Sequence, residues 1–315
     1  AGCAGHVVRR LCPAGLTMVA HSAGRVRQAL AERDRRPDPA GAAPVTNSQA
    51  PSFLSGQSGT VGGLDGLRRS AGDELTAAGE LLMGRTVRLE RAARRSPPPR
   101  SVLVLSVQRP ERAQLASAIA TELRRSRHEV TLATTAAAGG GKFENLNRLL
   151  AGHPAAGHDW LLVVDDDVEL PRGFLDRFLF LCERFSLTLA QPAHRLHSHA
   201  AWEVTRRRPG SVVRETSFVE IGPVTAFAAR SFDVLLPFPE LRMGWGLDMH
   251  WAALAREHGW RCGVLDAVAI RHRAAPAGAA YPREEAIAEG AAFLQSRPHI
   301  TAAEAQLTLA THTRW

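Results

Sequence analysis

The sequence predicts an α/β fold, in which a mostly parallel sheet is covered by helices on both faces. Short apolar runs rich in β-branched residues recur at 101–107, 129–135 and 160–164. Segments of helical period lie between these runs, at 111–126 and in the stretch that begins at Lys142. Because strands that alternate with helices form buried, mostly parallel sheets, this order predicts the fold class.

The first hundred residues differ in composition from the predicted sheet region. Residues 1–61 mix Gly, Pro, Ala and Ser with scattered arginines, and their lack of a sustained apolar period predicts disorder. Residues 62–100 contain leucines at broadly helical spacing, which predict a helix or a helical pair. The prolines at 97–99 end this segment in an extended linker.

The rest of the chain divides into a sheet domain, residues 101–273, and a C-terminal extension, residues 274–315. The sheet domain opens with a β-α-β unit over 101–135. A glycine turn at 139–141 then leads into a helix, and the buried run at 160–164 follows as a third strand. The C-terminal extension is predicted to be helical, with frayed final residues.

The charge of the chain argues against a nucleic-acid partner. The 315 residues carry a net charge of +8, but residues 1–100 hold 15 arginines against 8 acidic residues, a net charge of +7. Residues 101–315 are therefore almost neutral, at +1. A weak peripheral contact with an anionic membrane would belong to the Arg-rich N-terminal region, for which a solvated tail is the alternative.

Cysteine use and hydropathy predict a cytoplasmic protein, with a membrane-peripheral location as the alternative. The four cysteines form no Cys-x-x-Cys pair and are too few for a disulfide framework. No apolar run approaches the ~18 residues of a membrane span, and the N-terminus lacks a signal pattern. The excess of Ala, Arg, Gly and Pro is typical of a GC-rich, bacterial genome.

Three consecutive aspartates, Asp165, Asp166 and Asp167, follow the third predicted strand. Adjacent carboxylates repel one another, so this run favours a bound cation, and oxygen ligands suit Mg²⁺ or Mn²⁺. In mostly parallel sheets, ligands bind beyond the carboxyl ends of the strands, where these aspartates are expected. The alternative is a solvated acidic turn that caps the following helix.

The stretch 139–150 holds rare residue types. Lys142 is the only lysine among 39 basic residues, and Asn145 and Asn147 are two of three asparagines. Lys presents a compact point charge, whereas Arg presents a planar fork. A lone lysine in an Arg-rich chain therefore indicates a site that Arg cannot serve, unless it survives by chance.

The stretch Gly244–Asp248 has the composition of a binding loop, because its small residues allow close approach to Trp245 and Asp248. In the alternative, Trp245 is a core residue and Asp248 is the N-cap of the following helix. His272 ends the next strand-like run, where a lone histidine is either a ligand or a structural residue.

The order of these features resembles the A-type fold of glycosyltransferases, in particular the inverting, family-two-like enzymes. The resemblance rests on the β-α-β start, the Lys142 segment, the three aspartates, the Gly244–Asp248 loop and His272, and it covers about residues 101–273. It implies a Rossmann-like, nucleotide-sugar-binding sheet. It also implies that the three aspartates form an Asp-x-Asp motif with bound Mn²⁺ or Mg²⁺.

The resemblance implies a role for each residue of the metal motif. Asp165 would face the donor ribose or the metal, Asp166 would contact the donor, and Asp167 would bind the metal. His272 takes the position of a late histidine that completes the metal site in some of these enzymes.

The resemblance also implies two substrates. A nucleotide-diphosphate sugar would bind beside Lys142, Asn145 and Asn147, because these residues fall in the segment that lies along the donor in the family. The acceptor, a glycan, a lipid or a small molecule that the sequence does not identify, would receive the sugar on a hydroxyl group.

Acceptor binding is assigned by the resemblance to Trp245 and Gly246, and Asp248 would be the catalytic base. The chain departs from the family here, because Leu247 and a single acid stand where relatives have an acidic cluster. The chemistry agrees with two separate carboxylate sets. A divalent ion stabilises the leaving diphosphate, and a free carboxylate accepts the proton of the attacking hydroxyl.

Two other functional classes stay open from the sequence. Aspartates after a strand also occur in phosphatases and phosphotransferases that use an aspartate nucleophile, and a chain with a reduced acidic cluster could be a non-catalytic nucleotide-sugar-binding module. His194, His197 and His199 have a spacing that suits zinc, although a mobile polar loop is the preferred interpretation. Glu220 is interpreted as structural.

Overall fold

The computed structural model describes residues 63–95, 98–137, 139–273 and 282–315, all of which fall within the compact unit Gln49–Trp315. The described residues form a nine-stranded sheet in the order β2-β1-β3-β7-β5-β8-β6-β9, with β4 paired to β8 off this path. The strands are β1 Ser101–Gln108, β2 Glu129–Ala136, β3 Trp160–Val164, β4 Val168–Glu169, β5 Leu187–His194, β6 Val213–Thr216, β7 Val224–Ala228, β8 Arg261–His272 and β9 Thr308–His312.

Most strands of this sheet run in one direction. β1 is parallel to β2 and β3, and β5 is parallel to β8, whereas β7, β6 and β4 enter antiparallel to their neighbours. β9 is antiparallel to β6 and so returns to the direction of β8. The predicted α/β fold with a mostly parallel sheet is confirmed. The neighbouring parallel strands β1 and β3 have their carboxyl ends on the same side of the sheet, and the aspartates directly follow β3.

Helices cover both faces of the sheet, as predicted. Successive side chains of each strand point to opposite faces, and in strands such as β1 and β3 both sets are buried. In β1, Val102 and Val104 pack with residues of α3 and α5, whereas Leu103 and Leu105 pack with α4 and α7. The helices are α1 Gly63–Leu82, α2 Arg85–Arg95, α3 Ala113–Arg124, α4 Lys142–Gly152, α5 Phe174–Arg184, α6 Phe232–Leu235, α7 Leu247–Glu257, α8 Arg283–Leu294 and α9 Ala302–Ala305.

The N-terminal helical segment is a pair of helices that contacts the sheet domain. α1 faces the domain with its polar side, where buried Asp73 accepts hydrogen bonds from Leu196 N at 2.9 Å and His197 N at 2.8 Å. α2 buries Leu89 in the core under α5. The apolar side of α1 is exposed; it comprises Leu64, Leu67, Leu75, Leu81 and Leu82.

The C-terminal extension differs from the prediction at its end. α8 and α9 form, but the final residues are not frayed: β9 pairs with β6, with Val213 opposite His312. The strand was not predicted because its partner lies about a hundred residues away and Leu309 points to solvent. In the part of the chain that the structure describes, no helix has the length and apolarity needed to cross a membrane. The predicted disorder of residues 1–61 lies outside the described residues.

Candidate functional site

The three aspartates begin at the carboxyl end of the buried strand β3, and each carboxylate meets at least one Lys, Arg or His side chain. The backbone at this point is fixed, because Asp165 N donates to the carbonyl of Pro223 at 2.8 Å. Asp166 and Asp167 are buried, and the Asp165 side chain is 28% exposed. At the end of the strand, Asp165 is therefore the most exposed of the three aspartates, and the other two point into the protein.

Lys142 is the partner of Asp165. Its Nζ lies 2.7 Å from Asp165 Oδ1 and donates to the carbonyl of Ile221 at 3.0 Å. Gly222 provides the room, since a Cβ atom there would lie 2.6 Å from Nζ. Burial raises the pKa of Asp165, an effect that Lys142 opposes. The lone lysine thus places a compact point charge between the Asp165 carboxylate and the Ile221 carbonyl.

Arg109 is the partner of Asp166, and the sequence analysis missed it. Its backbone N donates to Asp166 Oδ2 at 2.6 Å, and its guanidinium contacts both carboxylate oxygens. Both carboxylate oxygens of Asp166 therefore bond to Arg109, and its contact with a donor stays a prediction. The available signal was position: Arg109 follows β1 directly, and β1 is the neighbour of β3.

Asp167 lies between Arg109 and His272. Arg109 Nη2 donates to Asp167 Oδ2 at 2.8 Å, and His272 Nε2 lies 3.1 Å from Oδ1. Pairing of β4 with β8 sets this contact, because Val168 is opposite His272. Burial opposes ionisation of Asp167, but His272 and Arg109 outweigh it and lower the pKa of the carboxyl. Burial also opposes the imidazolium, yet Asp167 raises the pKa of His272.

The pair Asp167 and His272 fits a hard divalent cation. Asp167 Oδ1 is buried and has no hydrogen-bond partner among the described residues, although His272 Nε2 is 3.1 Å away. Adjacent ligand atoms around an octahedral ion with ligand distances of about 2.1 Å are about 3 Å apart. Within the described ranges, no three His, Cys, Asp or Glu side chains form a complete metal-binding group. Asp167 and His272 would therefore supply two ligands rather than a closed cage, since Asp165 pairs with Lys142.

The structure does not bring Asn145 or Asn147 to the aspartates. Asn145 is buried and donates to Gly141 O at 2.8 Å, so it stabilises the turn that starts α4. Asn147 exchanges two hydrogen bonds with the backbone of Phe238, at 2.8 Å and 3.0 Å. Their contact with a donor stays a prediction, and in the structure both side chains bond to backbone groups.

Asp248 lies in the first turn of α7, after Gly246 at φ 85°. Its Oδ1 accepts a hydrogen bond from Met249 N at 3.0 Å, but burial dominates and raises the pKa of Asp248 to about 7. The negative charge of Glu220 adds to this rise. No described Lys or Arg side chain forms an ion pair or hydrogen bond with Asp248. The carboxyl is thus poised to exchange a proton near neutral pH.

Asp248 and the three aspartates share one segment of backbone. The Ile221 carbonyl accepts from Lys142, and a hydrogen bond from the backbone of the same residue moderates the pKa of Asp248. Glu220, just before it, is buried and bonded to His194 Nε2 at 3.0 Å and Thr205 Oγ1 at 3.0 Å, which supports its structural interpretation. The two carboxylate groups are therefore neighbours with different electrostatics.

Trp245 and Gly246, the predicted acceptor residues, differ in accessibility. Trp245 is half-buried, and the guanidinium of Arg283 lies 5.6 Å from its ring centroid. Gly246 is buried, and a Cβ atom there would lie 2.9 Å from Leu294. Trp245 is thus partly accessible, whereas Gly246 is packed closely against Leu294.

The histidines at 194–199 do not form a zinc site with one another. His194 is buried against Glu220, and His197 contacts Arg271. The rings of His194 and His199 lie 6.3 Å and 6.2 Å from that of His272. Ser198 Oγ accepts from His272 N at 2.8 Å, so this loop supports the histidine of the candidate metal pair.

Comparison with known proteins finds similar folds but no close relative. No family model and no curated protein matches the chain. A solved mannosyltransferase from Pyrobaculum calidifontis, in complex with GDP-Man and Mn²⁺, is similar at 15% identity and a TM-score of 0.34, over 62% of this chain and 64% of that one. GalNAc-T7 with UDP, GalNAc and Mn²⁺ is similar at 11% identity and a TM-score of 0.40, over 59% and 46%. The chain spans less than two thirds of either structure.

Proposed function

We propose that the protein is an inverting glycosyltransferase of the A-type fold, which moves a sugar from a nucleotide-diphosphate sugar to an acceptor hydroxyl. The observation that carries the proposal is the separation of two carboxylate groups beside Ile221. Asp165 and Asp167 lie among cations at the strand end, whereas Asp248 is desolvated with a pKa of about 7. Sugar transfer needs both environments at once.

The donor side comprises Asp165, Lys142 and the pair Asp167 and His272. Asp165 is the more exposed aspartate and faces the ribose, while Lys142 presents a point charge at the same place. Asp167 and His272 would hold Mn²⁺ or Mg²⁺, which would neutralise charge on the departing diphosphate when bound. Such ions are commonly held by one or two protein ligands together with substrate phosphates, which matches the two ligands present here.

The acceptor side comprises Asp248 and Trp245. Asp248 accepts the proton of the acceptor hydroxyl as that oxygen attacks the anomeric carbon, and its pKa near 7 suits a general base at neutral pH. Trp245 stacks on an apolar sugar face and holds the acceptor for attack. Direct displacement by a hydroxyl from the side opposite the diphosphate inverts the anomeric centre.

A panel of nucleotide-diphosphate sugars tests this proposal. GDP-mannose and UDP-N-acetylgalactosamine belong in the panel with other donors, each titrated by calorimetry in Mn²⁺, in Mg²⁺ and in excess chelator, with release of nucleoside diphosphate measured in parallel. We expect at least one donor to bind with metal and to lose affinity in chelator. Equal affinity in chelator, or no binding by any donor, would contradict the proposal.

A further inference from the structure

Helix α8 holds the loop that carries Trp245 through one carboxylate. Glu289 accepts hydrogen bonds from three consecutive backbone N–H groups: Arg242 N at 2.6 Å, Met243 N at 2.9 Å and Gly244 N at 3.0 Å. Oε1 accepts the first bond and Oε2 accepts the other two. Hydrogen bonds to an ionised acceptor are stronger than neutral ones, so this contact fixes the loop in one conformation.

The same loop packs on the start of α4 at its other side. A Cβ atom at Gly141 would overlap the carbonyl oxygen of Arg242, and a Cβ atom at Gly244 would overlap the Phe143 ring. Loop 242–246 therefore lies between α8 and the helix that begins with Lys142. Its position depends on contacts from both sides, and only the α8 side is held by charge.

α8 and the segment after it also fix the beginning of α7. His250 Nδ1 donates to Pro298 O at 2.8 Å, and Ile300 N donates to Met249 O at 3.2 Å. On the loop itself, Arg283 lies over the ring of Trp245. The C-terminal segment thus contacts the residues on both sides of Asp248 without contacting the three aspartates in any hydrogen bond or ion pair of the described residues.

We propose that Glu289 is a positioning residue, which holds loop 242–246 so that Trp245 and Asp248 face the acceptor. This role rests on the proposed function. Glu289 does not touch the reacting groups; it acts through the three N–H groups that it accepts. Its loss frees the loop on the α8 side, leaves Lys142, Asp165, Asp167 and His272 in place, and so separates acceptor geometry from donor binding.

Glu289→Ala and Glu289→Gln test the proposal, with Glu285→Ala as the matched control because Glu285 is exposed one turn earlier on α8. The first readout is tryptic cleavage after Arg242, which is exposed and lies in the loop. Loss of three charge-assisted hydrogen bonds raises the population of the open loop, so we expect cleavage about 10-fold faster in Glu289→Ala. Glu289→Gln keeps one acceptor oxygen and is expected to be intermediate.

The second readout is turnover of the donor selected by the panel, with water or an identified acceptor, beside its dissociation constant. We expect turnover to fall about 10-fold in Glu289→Ala while the dissociation constant changes less than about 2-fold, since small misplacement of reacting groups is costly for rate. If Glu289→Ala does not fold, Glu289→Gln carries both readouts.

Three outcomes would overturn the proposal: unchanged cleavage at Arg242, faster cleavage with native turnover, or loss of donor affinity together with turnover. If the panel finds no donor at all, the proposed function fails separately. Tryptic cleavage after Arg242 then still decides whether Glu289 fixes the loop. An unchanged cleavage rate in Glu289→Ala would contradict that role as well.

Discussion

The two carboxylate groups beside Ile221 differ in how their charge is stabilised. Asp165, Asp166 and Asp167 each meet a cationic side chain, and the pKa of Asp167 is held low by His272 and Arg109. Among the described residues, Asp248 accepts only backbone hydrogen bonds and is otherwise buried, which raises its pKa to about 7. Asp167 is therefore held in its ionised form, whereas Asp248 can take up and release a proton near neutral pH.

This difference teaches that the number of acids near a site says little about what each can do. Asp167 lies beside His272 and Arg109, which hold its pKa below the usual value, so this carboxylate is a poor proton acceptor near pH 7. A single desolvated aspartate on a helix N-terminus is suited to that role. Substitutions that remove one side chain at a time from either carboxylate group test this difference.

Loss of Asp167 should have the largest effect. Asp167→Ala removes the buried Oδ1 beside His272, and we expect metal-dependent donor binding and turnover to fall about 10³-fold, because charge on the diphosphate is no longer neutralised. Calorimetry with and without Mn²⁺ measures the effect. Asp233→Ala, at an exposed position of α6, is the control. Native donor affinity in Asp167→Ala would place the metal elsewhere.

Asp248→Asn should separate rate from binding. The amide keeps the size of the carboxyl but is not a base, so we expect turnover to fall by roughly 10²-fold with nearly unchanged donor affinity. In the native protein, turnover should rise with pH toward a plateau above about 7, the pKa of Asp248, and this rise should be absent in the variant. A variant that turns over at the native rate would reduce Asp248 to a helix cap.

The same substitution should increase stability. Because the pKa of Asp248 is raised from 3.8 to about 7 on folding, its contribution to stability is full below pH ~4 and is lost as the pH rises through about 7. Asp248→Asn does not titrate, so its advantage in free energy of unfolding should grow between pH 5 and pH 8, to at most about 4 kcal/mol. Urea denaturation at both pH values measures it, and a pH-independent difference would contradict the assignment.

Arg109→Lys should weaken the aspartate group without removing its charge. Lysine cannot hold both oxygens of Asp166 and also reach Asp167, so we expect the metal-dependent donor affinity to fall about 10-fold, a typical effect of losing a group that orients metal ligands. Arg124→Lys, at an exposed position of α3, is the control. Equal donor affinities in Arg109→Lys and Arg124→Lys would show that Asp166 does not require the planar guanidinium of Arg109.

Lys142→Arg should have the smallest effect. The charge is kept, but the planar guanidinium is wider than the ammonium group that lies against Gly222, so we expect the donor dissociation constant to rise by roughly 3-fold to 10-fold. The room beside Nζ exists because Gly222 has no Cβ atom. An unchanged donor dissociation constant would indicate that donor binding does not require a lysine at position 142.

Much of the fold and part of the site could be predicted from the sequence because their signals are local. The apolar runs of β1 and β3 and the aspartates that follow β3 are contiguous in the chain, so period and position sufficed. Asp167 and His272 were paired by resemblance, and the structure brings them within 3.1 Å. Lys142 was singled out by its rarity and does meet Asp165.

The remaining features depend on contacts between distant segments. Arg109 reaches Asp166 only because β1 lies beside β3, and Glu289 meets loop 242–244 across more than forty residues. Asn147 is one of only three asparagines, yet it bonds to the backbone of Phe238, a contact that its rarity does not predict. Rare residue types and the order of motifs therefore locate the region of the candidate site. The contacts that each side chain makes depend on the strand order and on how the helices pack.

The tight contacts at Gly141 and Gly244 limit how this protein could be re-engineered. Each glycine admits a backbone carbonyl or an aromatic ring where a methyl group would overlap it, so the start of α4 and the loop before α7 form one interlocking part. Under the proposed function, a graft that exchanges loop 242–246 to change acceptor preference would have to carry both glycines and Phe143 with it. The loop can be exchanged only together with the first turn of the lysine helix.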